Sequence, residues 1–205
     1  KIYIGSLKMN RNSAWLSQYI STLSNLTNSA KASRLDGTRL DCAEAIEWTS
    51  DKLAALPSSG GKLMMVGNGG SASIASHMAI DFSKNGGIPA LAFNDPASLT
   101  CLANDLSFEN VFSHQVKMLG QSQDMLFAIS SSGRSPNILN AVTEARAIGI
   151  GVLTFSGFEE DNPLRSMGDM NLYLSSHTYG FVEIGHLTLC HAILDISMGW
   201  RPEKK

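Results

Sequence analysis

Short apolar runs alternate with helical stretches along the last two thirds of the chain. Five of these runs have the length of buried strands. They are LMMV (63–66), PALAF (89–93), MLFAIS (125–130), GVLTFS (151–156) and NLYLSS (171–176). Between the runs, apolar residues recur every three or four positions, which predicts helices. These helices lie near 71–84, 96–103, 109–119 and 135–147, with a last apolar helix at 180–200.

Continuous apolar strands separated by helices are typical of a parallel sheet that helices cover on both faces. We therefore predict an α/β fold with a five-stranded parallel sheet flanked by helices.

Residues 1–58 follow a different pattern, polar with apolar residues at helical spacing. The apolar positions of a first helix are Trp15, Leu16, Tyr19, Ile20, Leu23 and Leu26. A second helix passes Ile46 and Leu53 and ends before Pro57. We predict an N-terminal helical extension over 1–58 that packs in an oligomer, and a ligand-binding domain over 59–200.

The composition mainly excludes certain classes of protein and of partner. The net charge of −2 offers no basic surface for nucleic acid. No run approaches the roughly 18 apolar residues of a membrane span, and no apolar core of a signal peptide is visible. Three widely spaced cysteines, Cys42, Cys101 and Cys190, favour reduced thiols in the core. We therefore expect a cytoplasmic protein with a small-molecule ligand and no nucleic-acid or membrane partner.

The loop after the first predicted strand is rich in glycine. Its sequence GNGGSAS (67–73) joins a buried strand to a helix. Glycines let the backbone approach a ligand closely, and the unpaired N–H groups of a helix N-terminus attract anions. Asn68, Gly69, Gly70 and Ser71 are therefore candidate ligands of an anion.

The loop after the third predicted strand is rich in serine. Its hydroxyls, on Ser130, Ser131, Ser132 and Ser135, precede Pro136 at a predicted helix start. Hydroxyls and free N–H groups suit a compact phosphate. Because ligands of parallel sheets bind beyond the carboxyl ends of strands, we predict that both loops hold one phosphate. Plain helix capping by the serines is the alternative.

A dinucleotide is the competing ligand. Gly67, Gly69 and Ala72 fit the pattern G-x-G-x-x-A, and Asp95 lies near the end of the next strand, where a ribose-binding acid would be. A pyrophosphate would need only the first loop, so the serine loop favours a phosphate and no nucleotide. Asn94 and Asp95 are then further candidate substrate ligands.

Four stretches together resemble the sugar isomerase (SIS) domain family, most closely its phosphoheptose isomerases. They are GNGGSASIASHMAIDF, LANDLSFENVFSHQV, AISSSGRSPNILNAV and EIGHLTLCHAIL. The resemblance implies a three-layer SIS sandwich and a homotetramer. It also implies an aldose–ketose isomerase that converts sedoheptulose 7-phosphate to D-glycero-D-manno-heptose 7-phosphate through an enediol, on the way to the heptoses of lipopolysaccharide or capsule.

The resemblance also implies the catalytic residues. The positions of the family's base and its acid partner are those of Asp81 and His191. Some members bind zinc, through the positions of His77, Asp81, Glu183 and His191. His77 and Asp81 are four residues apart and share a helix face. Glu183 and His191 lie about 12 Å apart along a helix, so Glu183 would have to reach forward to share a metal.

Two departures from the family pattern leave alternatives open. Asp81 is one methylene shorter than the family's glutamate, and Glu183 replaces a glutamine, so Glu183 is a candidate substrate ligand and an alternative base. A non-catalytic SIS adapter, resembling the protein that associates with the bacterial replication initiator, is the alternative function. The carboxylate of Asp81 and the imidazole of His191 favour the enzyme. A SIS module for an amino sugar has no specific support.

Overall fold

Seven strands and seven α-helices alternate along residues 14–201, the part of the chain that the structure, a computed structural model, describes. The strands are β1 (Lys31–Arg34), β2 (Arg39–Leu40), β3 (Leu63–Gly67), β4 (Ala90–Ala92), β5 (Met125–Ser130), β6 (Gly151–Ser156) and β7 (Met170–Tyr173). The helices are α1 (Ala14–Asn28), α2 (Cys42–Ser59), α3 (Gly70–Lys84), α4 (Pro96–Asp105), α5 (Val111–Leu119), α6 (Pro136–Ile148) and α7 (Tyr179–Ser197). Residues 1–13 of the predicted extension lie outside the described residues.

The strands form one sheet in the order β2-β1-β7-β6-β5-β3-β4. Strands β3 to β7 pair in parallel, and they are the five strands that the apolar runs predicted. Strands β3 and β5 are buried along their whole length, as expected for strands with helices on both faces. The predicted α/β class and the five-stranded parallel sheet are confirmed.

Two strands at one edge were not predicted. Strand β1 pairs antiparallel with β7, and β2 pairs antiparallel with β1. The sequence of β1, KASR, contains no apolar run, and this strand of four residues buries only its two central side chains. The segment predicted to be wholly helical therefore also widens the sheet.

The second helix continues past its predicted end. Pro57 lies inside α2, in the last turn, and α2 ends at Ser59 before Gly60. Gly60 has the left-handed conformation, with φ of 71°, and its N–H donates to the Leu56 carbonyl. A proline this close to the end removes one hydrogen bond from the helix, and the glycine cap, not Pro57, terminates it.

Two apolar clusters cover the two faces of the sheet and produce the three-layer sandwich. Met65 of β3 faces the cluster formed with α2, α3 and α7. The next residue back, Met64, faces the cluster formed with α5 and α6, as strand alternation requires. Cys190 is buried in the first cluster, but Cys101, predicted to lie in the core, is exposed on α4. No helix in 14–201 combines the length and apolarity needed to cross a membrane.

The order of strands reverses at β3. The chain passes from β3 to β4 on one side, and β5 then pairs with β3 on the other side. Helices α3 and α6, which follow β3 and β5, therefore leave the carboxyl edge of the sheet on opposite faces. Such a switch point opens a crevice between the two strand ends, and this is where ligands of open parallel sheets bind.

Candidate active site

A cavity of about 130 Å³ lies in this crevice. It is lined by Asn68, Ser71, Ile129, Ser130, Ser131, Ser132, Ser135, Tyr179 and Glu183. We call it the serine cavity. The structure thus brings the glycine-rich loop and the serine-rich loop to one place, together with the first turns of α7. Its volume is below the roughly 300 Å³ of the smallest drug-sized pockets, which suits one phosphoryl group better than a dinucleotide.

The helices that begin at the cavity have no side-chain caps. Gly69 precedes α3 with φ of 55°, a conformation that favours glycine, and it has no side chain to cap the helix. Ser135 precedes α6, but its hydroxyl makes no capping hydrogen bond. Plain capping therefore does not explain Ser135. Pro136 has no N–H, and the N–H groups of Ser71 and Ala72 already donate to backbone carbonyls. Within residues 14–201, this leaves the Gly70 N–H of α3 and the Asn137 N–H of α6 for an anion.

Ser131 adds a second sign of a ligand. It is only 6% exposed, and its Oγ has no hydrogen-bond partner within residues 14–201. Buried hydroxyls are nearly always hydrogen-bonded, so an orphaned one in a polar cavity indicates a group that arrives from outside. Ser130 Oγ lies 3.4 Å from Ser135 Oγ, a weak contact that a stronger acceptor can replace.

A pair of amides holds the two loops together. Asn68 Nδ2 donates to Asn137 Oδ1, and Asn137 Nδ2 donates back to Asn68 Oδ1, both at 2.9 Å. Asn137 is 2% exposed at the start of α6. Sequence reasoning missed it, although a polar residue directly after Pro136, in the first turn of a helix next to the serines, was a usable signal.

A second buried asparagine shapes the serine loop. Gly133 has φ of 61°, and a Cβ there would lie 2.0 Å from Asn162 Oδ1. Asn162 Nδ2 donates to the carbonyls of Gly157 and Glu159. Only glycine allows the loop this close to Asn162, and the contact fixes the turn that carries the serines.

Glu183 lies inside the serine cavity. A Cβ on Gly70 would meet both carboxylate oxygens of Glu183 at 2.5 Å, so the carboxylate rests directly on the first turn of α3. Glycine at this position is what makes room for it.

Three further candidate residues form a separate cluster. His77 Nε2 lies 3.3 Å from His191 Nε2 and 3.4 Å from Asp81 Oδ2. His77 and Asp81 are one turn apart on α3, and His191 reaches them from α7. The cluster is open to solvent on one side, because the side chain of His77 is 51% exposed and that of Asp81 is 21% exposed. Glu183 is not part of it.

The cluster has the donor set of a metal site. Its ligand atoms all lie within 4.8 Å of one another. Zinc commonly takes two imidazole nitrogens and one carboxylate, and tetrahedral bonds of 2.0–2.1 Å separate the ligand atoms by about 3.4 Å. The distances from His77 Nε2 to its two neighbours match that spacing. The three residues therefore fit zinc, without Glu183.

The cavity and the cluster lie along the same two helices. Gly70 contacts Glu183 at the beginning of the pair, and His77 contacts His191 further on. Since both residue numbers increase together, α3 and α7 run side by side in the same direction. Seven residues of α3 separate Gly70 from His77, which is about 10 Å along the helix axis.

Asn94 and Asp95 are not among the residues that line the cavity. Asn94 Nδ2 donates to the Ala72 carbonyl and to Ser76 Oγ, and so ties the β4–α4 loop to α3. Asp95 caps α4 and accepts hydrogen bonds from the N–H and hydroxyl of Ser98, which lower the pKa of its carboxyl. This capping role accounts for an acidic residue directly after β4, and no ribose ligand is needed to explain it.

His186 has a structural position. It is fully buried, its Nε2 contacts the Ser156 carbonyl at 3.1 Å, and its Nδ1 has no partner within 14–201. Burial lowers the pKa of His186 to about 4, and the Ser156 carbonyl opposes this shift. The imidazole is therefore neutral at physiological pH, and it packs edge-on against Phe155.

Comparisons with known proteins show the family of this chain. A family model described as "SIS domain" matches residues 28–157. The phosphoheptose isomerase of Desulfovibrio desulfuricans is 35% identical over 174 residues, which are 79% of this chain and 82% of the relative. That of Burkholderia pseudomallei (strain 1710b) is 37% identical over 154 residues, 72% of this chain and 78% of the relative.

A solved structure agrees as well. The phosphoheptose isomerase of Neisseria gonorrhoeae superimposes with a TM-score of 0.76 at 26% identity, over 89% of this chain and 97% of that one. The resemblance that the four sequence stretches indicated is confirmed. The chain belongs to the SIS domain family, and within it to the phosphoheptose isomerases.

Proposed function

We propose that this protein is an isomerase that interconverts sedoheptulose 7-phosphate and D-glycero-D-manno-heptose 7-phosphate. Its relatives from D. desulfuricans and B. pseudomallei are phosphoheptose isomerases. The observation that carries the proposal is that the serine cavity and the His77–Asp81–His191 cluster lie along one pair of helices. The first suits a phosphoryl group and the second suits proton transfer.

The phosphoryl group binds in the serine cavity. The hydroxyls of Ser71, Ser131 and Ser132 donate to its oxygens, and so do the N–H groups of Gly70 and Asn137. The sugar then extends along α3 and α7 toward the cluster, about 10 Å away. A seven-carbon chain with its phosphoryl group at one end brings the carbonyl at the other end to Asp81 and His191.

Asp81 is the base. In the ketose, the carbonyl is on the second carbon, and Asp81 takes a proton from the first carbon to give an enediol. The same carboxylate returns the proton to the second carbon, which produces the aldose. His77 engages Asp81 Oδ2, which leaves Oδ1 for the proton. General-base help of this kind is worth roughly 10²–10⁴ in rate.

His191 serves the oxygens. As one hydroxyl becomes a carbonyl and the neighbouring carbonyl becomes a hydroxyl, one proton must move between them. His191 Nε2 accepts and returns this proton, because a neutral imidazole nitrogen can take up a proton and give it back. His77, in contact with both other side chains, orients them.

We propose zinc as the metal of this cluster, held by His77, Asp81 and His191. His191 Nε2 moves a proton only in the metal-free cluster, because a nitrogen bound to zinc would have no lone pair left for it. When bound, zinc would polarise the sugar oxygens and stabilise negative charge on the enediol. The support is the donor set and its spacing.

We also propose that the protein acts in the cytoplasm as a homotetramer. All three cysteines are free thiols, as expected in a reducing compartment. Helix α1 buries none of its residues in the single chain and exposes Trp15, Leu16 and Ile20, which a partner copy would cover. A non-catalytic adapter is not favoured, because it would have no need of the cluster.

Proton exchange tests the proposal directly. In deuterated water, the enzyme should transfer deuterium to the first carbon of sedoheptulose 7-phosphate, measured by NMR against a panel of shorter ketose phosphates. Asp81→Asn should reduce the exchange rate by a factor of at least about 100. Asp195→Asn, an exposed change near the end of α7, is the matched control and should keep the full rate. Exchange by Asp81→Asn at the full rate would refute the role of Asp81.

A further inference from the structure

Glu183 places a negative charge in the cavity that the proposed function gives to a phosphoryl group. Its two carboxylate oxygens lie equally close to the Cβ position of Gly70, at the N-terminus of α3. This is where the oxygens of a bound anion are expected, since α3 has no side-chain cap and its dipole is positive at this end.

The rest of the cavity does not balance this charge. Its other lining residues are serines, Asn68, Ile129 and Tyr179, and none is a cation. Within residues 14–201, no side chain forms a hydrogen bond or an ion pair with Glu183. The carboxylate lies against the first turn of α3, and there it competes with any other anion for that position.

We infer that Glu183 is a tethered competitor of the substrate's phosphoryl group, an inference that rests on the proposed function. In the free protein its carboxylate occupies the α3 end of the serine cavity. Substrate binding displaces it, because a carboxylate and a phosphoryl group in contact repel each other, and none of the residues that line the cavity is a cation. Glu183 thus sets the affinity for the phosphoryl group, while the cluster on the same helices sets the turnover.

Substitutions at position 183 separate this role from others. Glu183→Gln keeps the shape and removes the charge, and Glu183→Ala removes the carboxylate altogether. We expect both variants to bind inorganic phosphate at least about tenfold more tightly than the parent protein, measured by calorimetry, because like charges this close repel strongly. The KM for the sugar phosphate should fall by a similar factor.

Glu159→Gln is the matched control. Glu159 lies on the loop after β6 with a side chain that is 63% exposed, and it does not line the cavity. Glu159→Gln changes the net charge by the same amount as Glu183→Gln, so an effect of net charge alone on phosphate affinity would appear in this variant too. We expect no change in phosphate affinity for this variant.

Three results would overturn the inference. Weaker phosphate binding in Glu183→Gln would mean that the carboxylate recognises the ligand. Tighter binding in Glu183→Gln but not in Glu183→Ala would credit the new amide donor and not the lost charge. Unchanged phosphate affinity in both Glu183 variants would mean that Glu183 does not compete with the phosphoryl group, although phosphate could still bind in the serine cavity. If the parent and both variants fail to bind phosphate or sugar phosphate, the proposed function fails as well.

Discussion

Ser131 presents an unpaired hydroxyl to the serine cavity, and Glu183 presents a carboxylate to the same space. Within residues 14–201, the first is a donor without an acceptor, and the second is an acceptor without a hydrogen-bond donor. At the scale of single residues, the free protein therefore carries two unsatisfied groups where we propose that the substrate binds. Native proteins accept such groups mainly at functional sites.

Removal of the Ser131 hydroxyl should affect binding and not stability. Ser131→Ala deletes a buried donor that has no partner in the free protein, so the free energy of unfolding should stay within about 0.5 kcal/mol. The KM for sugar phosphate should rise roughly tenfold, because one hydrogen bond to a charged phosphoryl group is lost. Steady-state kinetics and urea unfolding measure the two effects.

Ser50→Ala is the control for this change. Ser50 Oγ is also buried without a partner, but it lies on α2, away from the serine cavity. Its removal should leave both the stability and the KM unaltered. If Ser131→Ala also leaves the KM unaltered, the hydroxyl does not bind the phosphoryl group.

Residue by residue, the sequence predicts the site unevenly. The meeting of the two serine-bearing loops follows from general topology, because parallel strands place their carboxyl ends at one edge. Asp95 was expected beside them, but an acid that caps a helix has the same sequence context as an acid that binds a ligand. Asn137 was missed because its partner, Asn68, is 69 residues away and no local pattern connects them.

At the scale of elements, buried strands and amphipathic helices were predicted well, since their periodicity is written in consecutive residues. The antiparallel pair β1 and β2 was not, because its stability comes from hydrogen bonds to β7, more than 130 residues away. Pro57 was taken as a helix end, whereas the glycine at position 60 determines where α2 stops. Local sequence patterns predict strands and helices that have their own apolar residues to bury. They do not predict a strand that depends on pairing with a distant strand, or a helix end that depends on a capping residue.

The free energy of unfolding should depend on pH through His186, which lies on α7. Its imidazole is neutral in the fold, with a pKa of about 4 against the ordinary 6.5. Above pH 6.5 both the folded and unfolded chains hold it neutral, and between 6.5 and 4 only the unfolded chain binds the proton. The free energy of unfolding should therefore fall by about 3 kcal/mol as the pH drops through this window.

Urea unfolding between pH 7 and pH 4 measures this dependence. His186→Gln replaces the imidazole by an amide that does not titrate, so the stability of this variant should vary less with pH over the same range. His177→Gln, at a histidine whose side chain is 68% exposed, should keep the parent's dependence. Parallel curves for the parent and His186→Gln would assign the acid sensitivity to other groups.

At the scale of the whole molecule, helix α1 has an apolar face that the rest of residues 14–201 leaves exposed. It packs on α7 through Tyr19 and Phe181, whose ring centroids are 4.5 Å apart. Its outer face is apolar, with Leu16 70% exposed and Trp15 54% exposed. An amphipathic helix that exposes its large side chains is completed by another copy, and here that contact would adjoin the helix that carries Glu183 and His191.

A charge on this face should dissociate the assembly. Leu16→Glu places a carboxylate in the proposed contact, and we expect the mass in solution to fall from four chains to a smaller species. Multi-angle light scattering on a size-exclusion column measures it. Met118→Glu, at a side chain that is 58% exposed on α5, should leave the mass as it is. The same mass for both variants would exclude α1 from the interface.

The parallel course of α3 and α7 has a consequence for which sugars react. A fixed length of helix separates the serine cavity from the His77–Asp81–His191 cluster, so the proposed function predicts that the protein selects substrates by their length. A triose phosphate anchored by its phosphoryl group would end short of Asp81, whatever its chemistry. Discrimination by length therefore needs no contact with any individual sugar hydroxyl, only two helices that keep their register.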